Sequence, residues 1–65
     1  MREVKITVTT VEGGFLATAT DCCGGTVAEW FHPLKDVALS RTRSDVLGKV
    51  RQAYVVVDDK TGATR

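Results

Sequence analysis

Long apolar runs and a charge excess are both missing from this 65-residue chain, whose net charge is +1. A membrane-spanning helix needs about 20 mainly apolar residues, so the sequence predicts no contact with a membrane. A nearly neutral chain also has no overall field that would attract nucleic acid. The first residues, MREVKITVTT, lack the apolar block of a signal peptide. We therefore expect a cytoplasmic protein with reduced thiols.

Candidate metal ligands are scarce, because the chain has two cysteines and one histidine. Cys22 and Cys23 are adjacent in DCCGG, whereas a tetrahedral zinc site usually takes four ligands from spaced pairs. Neighbouring side chains on an extended chain point to opposite faces, and a disulfide between neighbours strains the peptide bond that joins them. His32 can act as a base for a thiol only if the fold brings it close. The sequence predicts a turn with one thiol buried, no metal site, no cofactor and no catalytic residue.

Alternating apolar residues predict an antiparallel hairpin near the start of the chain. Val4, Ile6 and Val8 alternate with polar residues, and β-branched residues on a two-residue period are typical of a strand. The glycines of EGG favour a tight turn, and FLATATD continues as the second strand. TVAEWFH, residues 26–32, predicts a third strand that ends at Pro33, because proline cannot donate a hydrogen bond to a sheet.

The clearest helical pattern is SDVLGKVRQAY, residues 44–54. Ser44 suits an N-cap, and Asp45 suits the positive end of a helix dipole. Apolar residues then recur at helical spacing. The stripe consists of Val46, Leu47, Val50, Ala53 and Tyr54.

The segments that flank this helix carry weaker patterns. Residues 33–43 are compatible with a short helix that begins at Pro33, with a short strand, or with a loop, and we favour the loop. The valines at 55–57 favour a strand at the sheet edge, and residues 58–65 predict a frayed tail. The prediction is one α+β domain over residues 1–65, with an antiparallel β-meander of three or four strands packed by one C-terminal helix.

Large apolar side chains are predicted on both faces of this small sheet. Leu16 lies opposite Phe15 along its strand, and Trp30 lies opposite Phe31. One helix covers one face, so we predict that Trp30, Phe31 and Leu16 form a surface for a protein partner. A short chain also gains stability from a second copy, and we expect a homodimer joined through the sheet.

Positive charge is concentrated in RTRSDVLGKVRQ. The basic residues are Arg41, Arg43, Lys49 and Arg51. Such a cluster is typical of contact with phosphates or with an acidic partner. No aromatic residue interleaves with them as a base-stacking platform requires, so we favour a solvated helix face. Nucleic-acid binding by these four residues is the alternative function.

The order of strand, EGGF turn, strand and TRSDVLGKVRQAY helix resembles that of HicB-like antitoxin domains. The GGF of residues 13–15 matches the glycine turn of that family, and Thr42 with Asp45 and Val46 loosely matches the start of its helix. The resemblance covers residues 4–54. It implies a domain that self-associates and that binds and blocks a small toxin. We therefore predict an antitoxin-like or inhibitory protein-binding module and not an enzyme, since no convincing acid–base pair is present.

Overall fold

The computed structural model describes residues 2–61, which form four strands and one helix. The elements are β1 (Arg2–Val11), β2 (Gly14–Asp21), β3 (Thr26–His32), α1 (Lys35–Lys49) and β4 (Ala53–Lys60). The strands form one sheet in the order β3-β2-β1-β4, and α1 packs on one face of it. The predicted α+β class, with one helix packed on a small sheet, is confirmed for the described residues.

The sheet is mixed, so the predicted antiparallel meander is wrong in its last strand. β1 and β2 are antiparallel, as are β2 and β3, but β4 is parallel to β1. The reason is the connection: α1 carries the chain back across the sheet, and β4 then starts at the same end as β1. The helix is therefore a crossover between two strands and not the C-terminal element.

The helix begins at Lys35, well before the predicted N-cap Ser44, so the loop predicted for residues 33–43 is wrong. A stripe with four-residue spacing faces the sheet, and its members are Ala38, Thr42 and Val46, all fully buried. This stripe is not recognisable as an apolar helix face in the sequence, because the side chain of Thr42 is polar. In the structure the Thr42 hydroxyl donates to the Ala38 carbonyl at 2.8 Å, which satisfies the hydroxyl inside the helix.

The helix also ends earlier than predicted. Val50 is the C-cap in an extended conformation, and its N–H donates to the Val46 carbonyl at 2.8 Å. Gln52 has a φ of 54°, which turns the chain into β4. The run of valines then favours a strand, and the strand continues to Lys60, three residues into the predicted tail. Residues 62–65 of that tail lie outside the described residues.

The core lies between α1 and one face of the sheet. Valine and isoleucine fill this face on β1, and alanines fill it on the neighbouring strands and on the helix. The buried apolar residues are Val4, Ile6, Val8, Ala17, Ala19, Ala28, Ala38 and Val46. The small alanine side chains let the helix pack close to β2 and β3. The helix therefore covers little of β4, and Val57 on that strand is 45% exposed.

The opposite face of the sheet is not covered by any other described element, and it is mostly polar. The alternation that buries Val4, Ile6 and Val8 turns threonines outward on β1 and β2, where Thr7 pairs with Thr18. The Thr18 hydroxyl donates to the Glu29 carboxylate at 3.3 Å on the same face. This open face therefore has little apolar surface to bury, except near the end of β3 and at the start of β4, where Tyr54 is 58% exposed.

The contact between α1 and β4 is expected to weaken in acid. Lys35 donates to the Asp59 carboxylate at 3.0 Å, and the Thr61 hydroxyl and N–H also donate to it. The Thr61 bonds, followed by the Lys35 bond, lower the pKa of Asp59 from its ordinary value of 3.8 to about 2. A lowered pKa stabilises the fold above the ordinary value, and this contribution is lost as the pH falls from about 4 towards 2.

We expect Asp59→Asn to lower the urea midpoint at neutral pH, with a difference from wild type that shrinks between about pH 4 and pH 2. Glu12→Gln, in the exposed turn between β1 and β2, is the matched control. An Asp59→Asn midpoint that keeps a constant offset from wild type across this range would contradict the prediction.

Candidate functional site

The candidate site is built around the free side of β3. β3 pairs with β2 on one side, and no described residue pairs with it on the other. A register shift opposite Ala19 and Thr20 marks a β-bulge at the start of β3. Beyond the bulge, residues 28–32 keep a regular register with β2 up to the end of the strand. We call this stretch the β3 edge.

On the open face, Phe31 and Leu16 lie side by side. The two residues are direct partners in the β2–β3 register. Phe31 is 49% exposed, and its ring reaches towards the β1–β2 turn, where a Cβ added at Gly13 would lie 3.7 Å from the ring. The sequence predicted Leu16 on the face opposite Phe15 and did not decide which of Trp30 and Phe31 faces away from the helix. The structure places Phe31 there, beside Leu16.

On the helix side, Trp30 stands beside Arg41. The Trp30 side chain is 38% exposed, and the Arg41 guanidinium lies 5.7 Å from the ring centroid, within cation–π range. Both residues line an open groove of about 260 Å³ between α1 and β3. The remaining lining residues are Ser44, Asp45 and Gly48. The groove therefore combines an aromatic face, a cation and a carboxylate next to the β3 edge.

The predicted binding residues thus fall on two faces of one edge. Leu16 and Phe31 are together on the open face, while Trp30 is on the helix side, because neighbouring residues of a strand point to opposite faces. Because β3 is an edge strand, both rings border the same unpaired backbone. A segment added along this edge would lie beside Trp30 on one face and Phe31 on the other, while Leu16 lies one strand further from it, on β2.

The groove was not predicted, although the sequence carries a signal for it. Arg41, Ser44, Asp45 and Gly48 follow the three- and four-residue spacing of one helix face. That spacing becomes informative once α1 is known to begin at Lys35. The pairing of this face with Trp30 has no sequence signal, because it depends on where β3 lies in the sheet.

The four basic residues do not form one surface. Thr42 points into the core, so Arg41 and Arg43 leave the helix about 100° to either side of it. Lys49 lies 3.3 Å from the Asp45 carboxylate and donates to the Val27 carbonyl at 3.2 Å. Arg51 lies beyond the helix in the turn before β4. The predicted phosphate-binding cluster is therefore divided among separate positions.

The cysteines lie in a tight turn, and both are exposed, so the predicted burial of one thiol is wrong. Asp21 organises the turn: one carboxylate oxygen accepts hydrogen bonds from the N–H groups of Cys23 and Gly25, both at 2.9 Å. The Gly25 bond and then the Cys23 bond lower the pKa of Asp21. Gly24 adopts a φ of 86°, which completes the turn.

The structure does not bring His32 to the cysteines. His32 ends β3, and its Nδ1 accepts a hydrogen bond from the Leu34 N–H at 3.0 Å, whereas Cys22 and Cys23 precede the start of that strand. Within residues 2–61, no three histidine, cysteine, aspartate or glutamate side chains are grouped so that they could hold a metal ion. The predicted lack of catalytic and cofactor chemistry stays a prediction.

Comparisons with known proteins leave the function to be argued from these residues. The chain matches no protein-family profile, no curated protein and no solved structure. Within the part of the chain that the structure describes, no helix has both the length and the apolar character needed to cross a membrane.

Proposed function

We propose that the chain is a protein-binding module that uses the β3 edge to bind and block a partner protein. The observation that carries this proposal is that Trp30 and Phe31 lie on opposite faces of β3, a strand with one edge that no described residue pairs with. Large aromatic side chains are the residues that most often anchor protein interfaces. An inhibitory role is also what the resemblance to HicB-like antitoxin domains implies.

The binding mode that fits this geometry is strand addition. A partner strand would hydrogen-bond to the free backbone of β3, and its side chains would alternate between the two faces. One set would enter the groove beside Trp30, and the other would pack on Phe31, which Leu16 supports from β2. Backbone pairing would supply affinity, and the two aromatic positions would supply specificity.

The other sheet edge is less suited to this role. β4 carries charged residues at its end, where Lys35 pairs with Asp59, and Lys5 and Lys60 both lie near Asp58. Charges on an edge strand discourage pairing with another strand. Nucleic-acid binding is also less supported, because Arg41 already stacks on Trp30 and Lys49 already pairs with Asp45.

The same edge supports the expected homodimer. The open face is largely polar, so two sheets stacked face to face would bury many hydroxyl groups. Two copies joined edge to edge through β3 would form one continuous sheet and cover Trp30 and Phe31 in a two-fold arrangement. Such a dimer would compete with a partner for the edge, and dissociation would release the binding surface.

We expect light scattering to show a dimer of the 7.0 kDa chain at micromolar concentration, with dissociation on dilution. Trp30→Ala is expected to shift this equilibrium towards the monomer. Tyr54→Ala removes a more exposed aromatic ring, 58% against 38% for Trp30, from the opposite edge strand and is expected to leave the dimer unchanged. A monomer at every concentration would refute the dimer and leave the β3 edge free for another protein.

Affinity capture from the native host tests the function itself. A partner protein held by wild type is expected to be lost from Trp30→Ala and Phe31→Ala, with affinity lowered by roughly 30-fold for a binding hot spot of about 2 kcal/mol. Tyr54→Ala should retain it. Equal capture by all variants would refute the edge as the binding site, and capture abolished by nuclease treatment would favour nucleic acid instead.

A further inference from the structure

The strongest unassigned feature is the pair of thiols in the β2–β3 turn. Both cysteines are free and exposed, and their Sγ atoms lie 3.8 Å apart. On an extended strand, neighbouring side chains diverge. Here the turn brings the two thiols to the same side, so the sequence-based reason for rejecting a shared ligand does not apply.

The turn is held in this shape by its own hydrogen bonds. Besides the two bonds to the Asp21 carboxylate, the Asp21 N–H donates to the Gly25 carbonyl at 2.9 Å, and the Gly24 N–H donates to the Asp21 carbonyl at 3.0 Å. These four bonds fix the backbone on both sides of Cys22 and Cys23. The thiols are therefore positioned before any ligand arrives, which lowers the entropy cost of binding.

The geometry favours a one-atom bridge over a direct disulfide. Adjacent Cα atoms are about 3.8 Å apart, below the range of about 4.4–6.8 Å that disulfides normally span. By contrast, two sulfur atoms bound at about 2.3 Å to one atom, at angles between about 95° for a pyramidal atom and about 110° for a tetrahedral one, lie about 3.4–3.8 Å apart. The observed separation of 3.8 Å lies at the upper limit of this range, so the two thiols need to approach each other by only a few tenths of an ångström to bind one atom.

Ligand number then argues against zinc and leaves the thiophilic atoms that two sulfur ligands can hold. A tetrahedral zinc ion needs further protein ligands, and the residues between 2 and 61 offer no group of three candidate ligands. A trivalent arsenic atom with one organic substituent needs only two sulfur ligands. We propose that Cys22 and Cys23, fixed by Asp21, chelate one such soft, thiophilic atom.

The reaction requires no oxidant. In a hydrated organoarsenic(III) compound, two As–O bonds break and two As–S bonds form, and each hydroxyl group leaves as water with one thiol proton. Cys22 also lines an open groove of about 260 Å³ with Glu3, Lys5 and Thr20, which leaves space for the organic substituent. The hydrogen bond and the charge of Cys22, followed by the charge of Asp21, raise the pKa of Cys23.

The test uses the reduced full chain with phenylarsine oxide as the probe. Intact-mass analysis is expected to show one phenylarsenic group per chain, retained in excess glutathione. Cys22→Ser and Cys23→Ser should each bind roughly 10²–10⁴-fold more weakly, because the second thiol then no longer acts intramolecularly. Asp21→Ala keeps both thiols but loosens the turn, and its affinity should lie between these values.

Equal retention by wild type and by either single-cysteine variant would overturn the proposal, and equal retention by Asp21→Ala would overturn the part assigned to Asp21. The serine variants are expected to keep the wild-type melting temperature, because both thiols are exposed. Trp30→Ala should bind the arsenical as wild type does, since Trp30 lies beyond the turn on β3. This result separates the thiol site from the proposed protein-binding edge.

Discussion

The substitution Val46→Asp is expected to unfold the domain. Val46 is fully buried on the face of α1 that packs against the sheet, and it is one of the larger side chains in an alanine-rich core. A carboxylate placed there without a partner costs several kcal/mol. A domain of this size has a total stability of only about 3–5 kcal/mol, so the variant should show no cooperative thermal transition at neutral pH.

The neighbouring residue supplies the control for Val46→Asp. Leu47 is 53% exposed on the outer face of the same helix, so Leu47→Asp introduces the same charge without burying it. We expect Leu47→Asp to keep a cooperative transition within about 0.5 kcal/mol of wild type. Similar melting curves for the two variants would mean that α1 does not pack through Val46.

Alanine substitutions at two glycines are expected to act in opposite directions. A Cβ added at Gly14 would lie 2.6 Å from the His32 carbonyl oxygen and 2.8 Å from the Pro33 Cα, both backbone atoms at the end of β3. The backbone must move to admit it, and such overpacking costs about 1–3 kcal/mol. Gly14→Ala should therefore lower the urea midpoint strongly.

At Gly48 the added methyl group meets no atom within 4 Å, and the residue lies inside α1. Alanine is favoured over glycine in a helix by about 0.5–1 kcal/mol, so Gly48→Ala should raise the urea midpoint. A stabilised Gly14→Ala variant would contradict the close approach of β2 to the end of β3. A destabilised Gly48→Ala variant would contradict the helical assignment at that position.

The strands were predictable where residue type and period agreed. Val4, Ile6 and Val8 gave an unambiguous alternation, and the same parity correctly separated Trp30 from Phe31. The helix was harder, because Thr42 interrupts its buried stripe with a polar side chain whose hydroxyl is satisfied by the helix itself. The four-residue spacing of buried positions was present in residues 38–46, but the helix face that they form was little more hydrophobic than the opposite face.

The remaining wrong predictions concern how the strands and the helix are arranged relative to one another. Nothing local in the valine-rich segment distinguishes a strand antiparallel to a neighbour from one parallel to β1, since that choice depends on the path of α1. Likewise, Trp30 and Phe31 lie beside an unpaired backbone only because β3 is an edge strand of the sheet. Arg41 lies beside Trp30 only because of the path that α1 takes. The convergence of Cys22 and Cys23 depends on the Asp21 turn, which the sequence predicted only as a turn.

The parallel pairing of β1 with β4 has a consequence for how the chain reaches its native state. β1 and β2 can pair as soon as both have been synthesised, and β3 can follow, because these contacts are local. β4 joins β1 only after α1 has crossed the sheet, and closing so long a loop is slow. Until then the apolar residues of β1 belong to a sheet edge, and the nascent protein is most exposed to aggregation while its last strand is still missing.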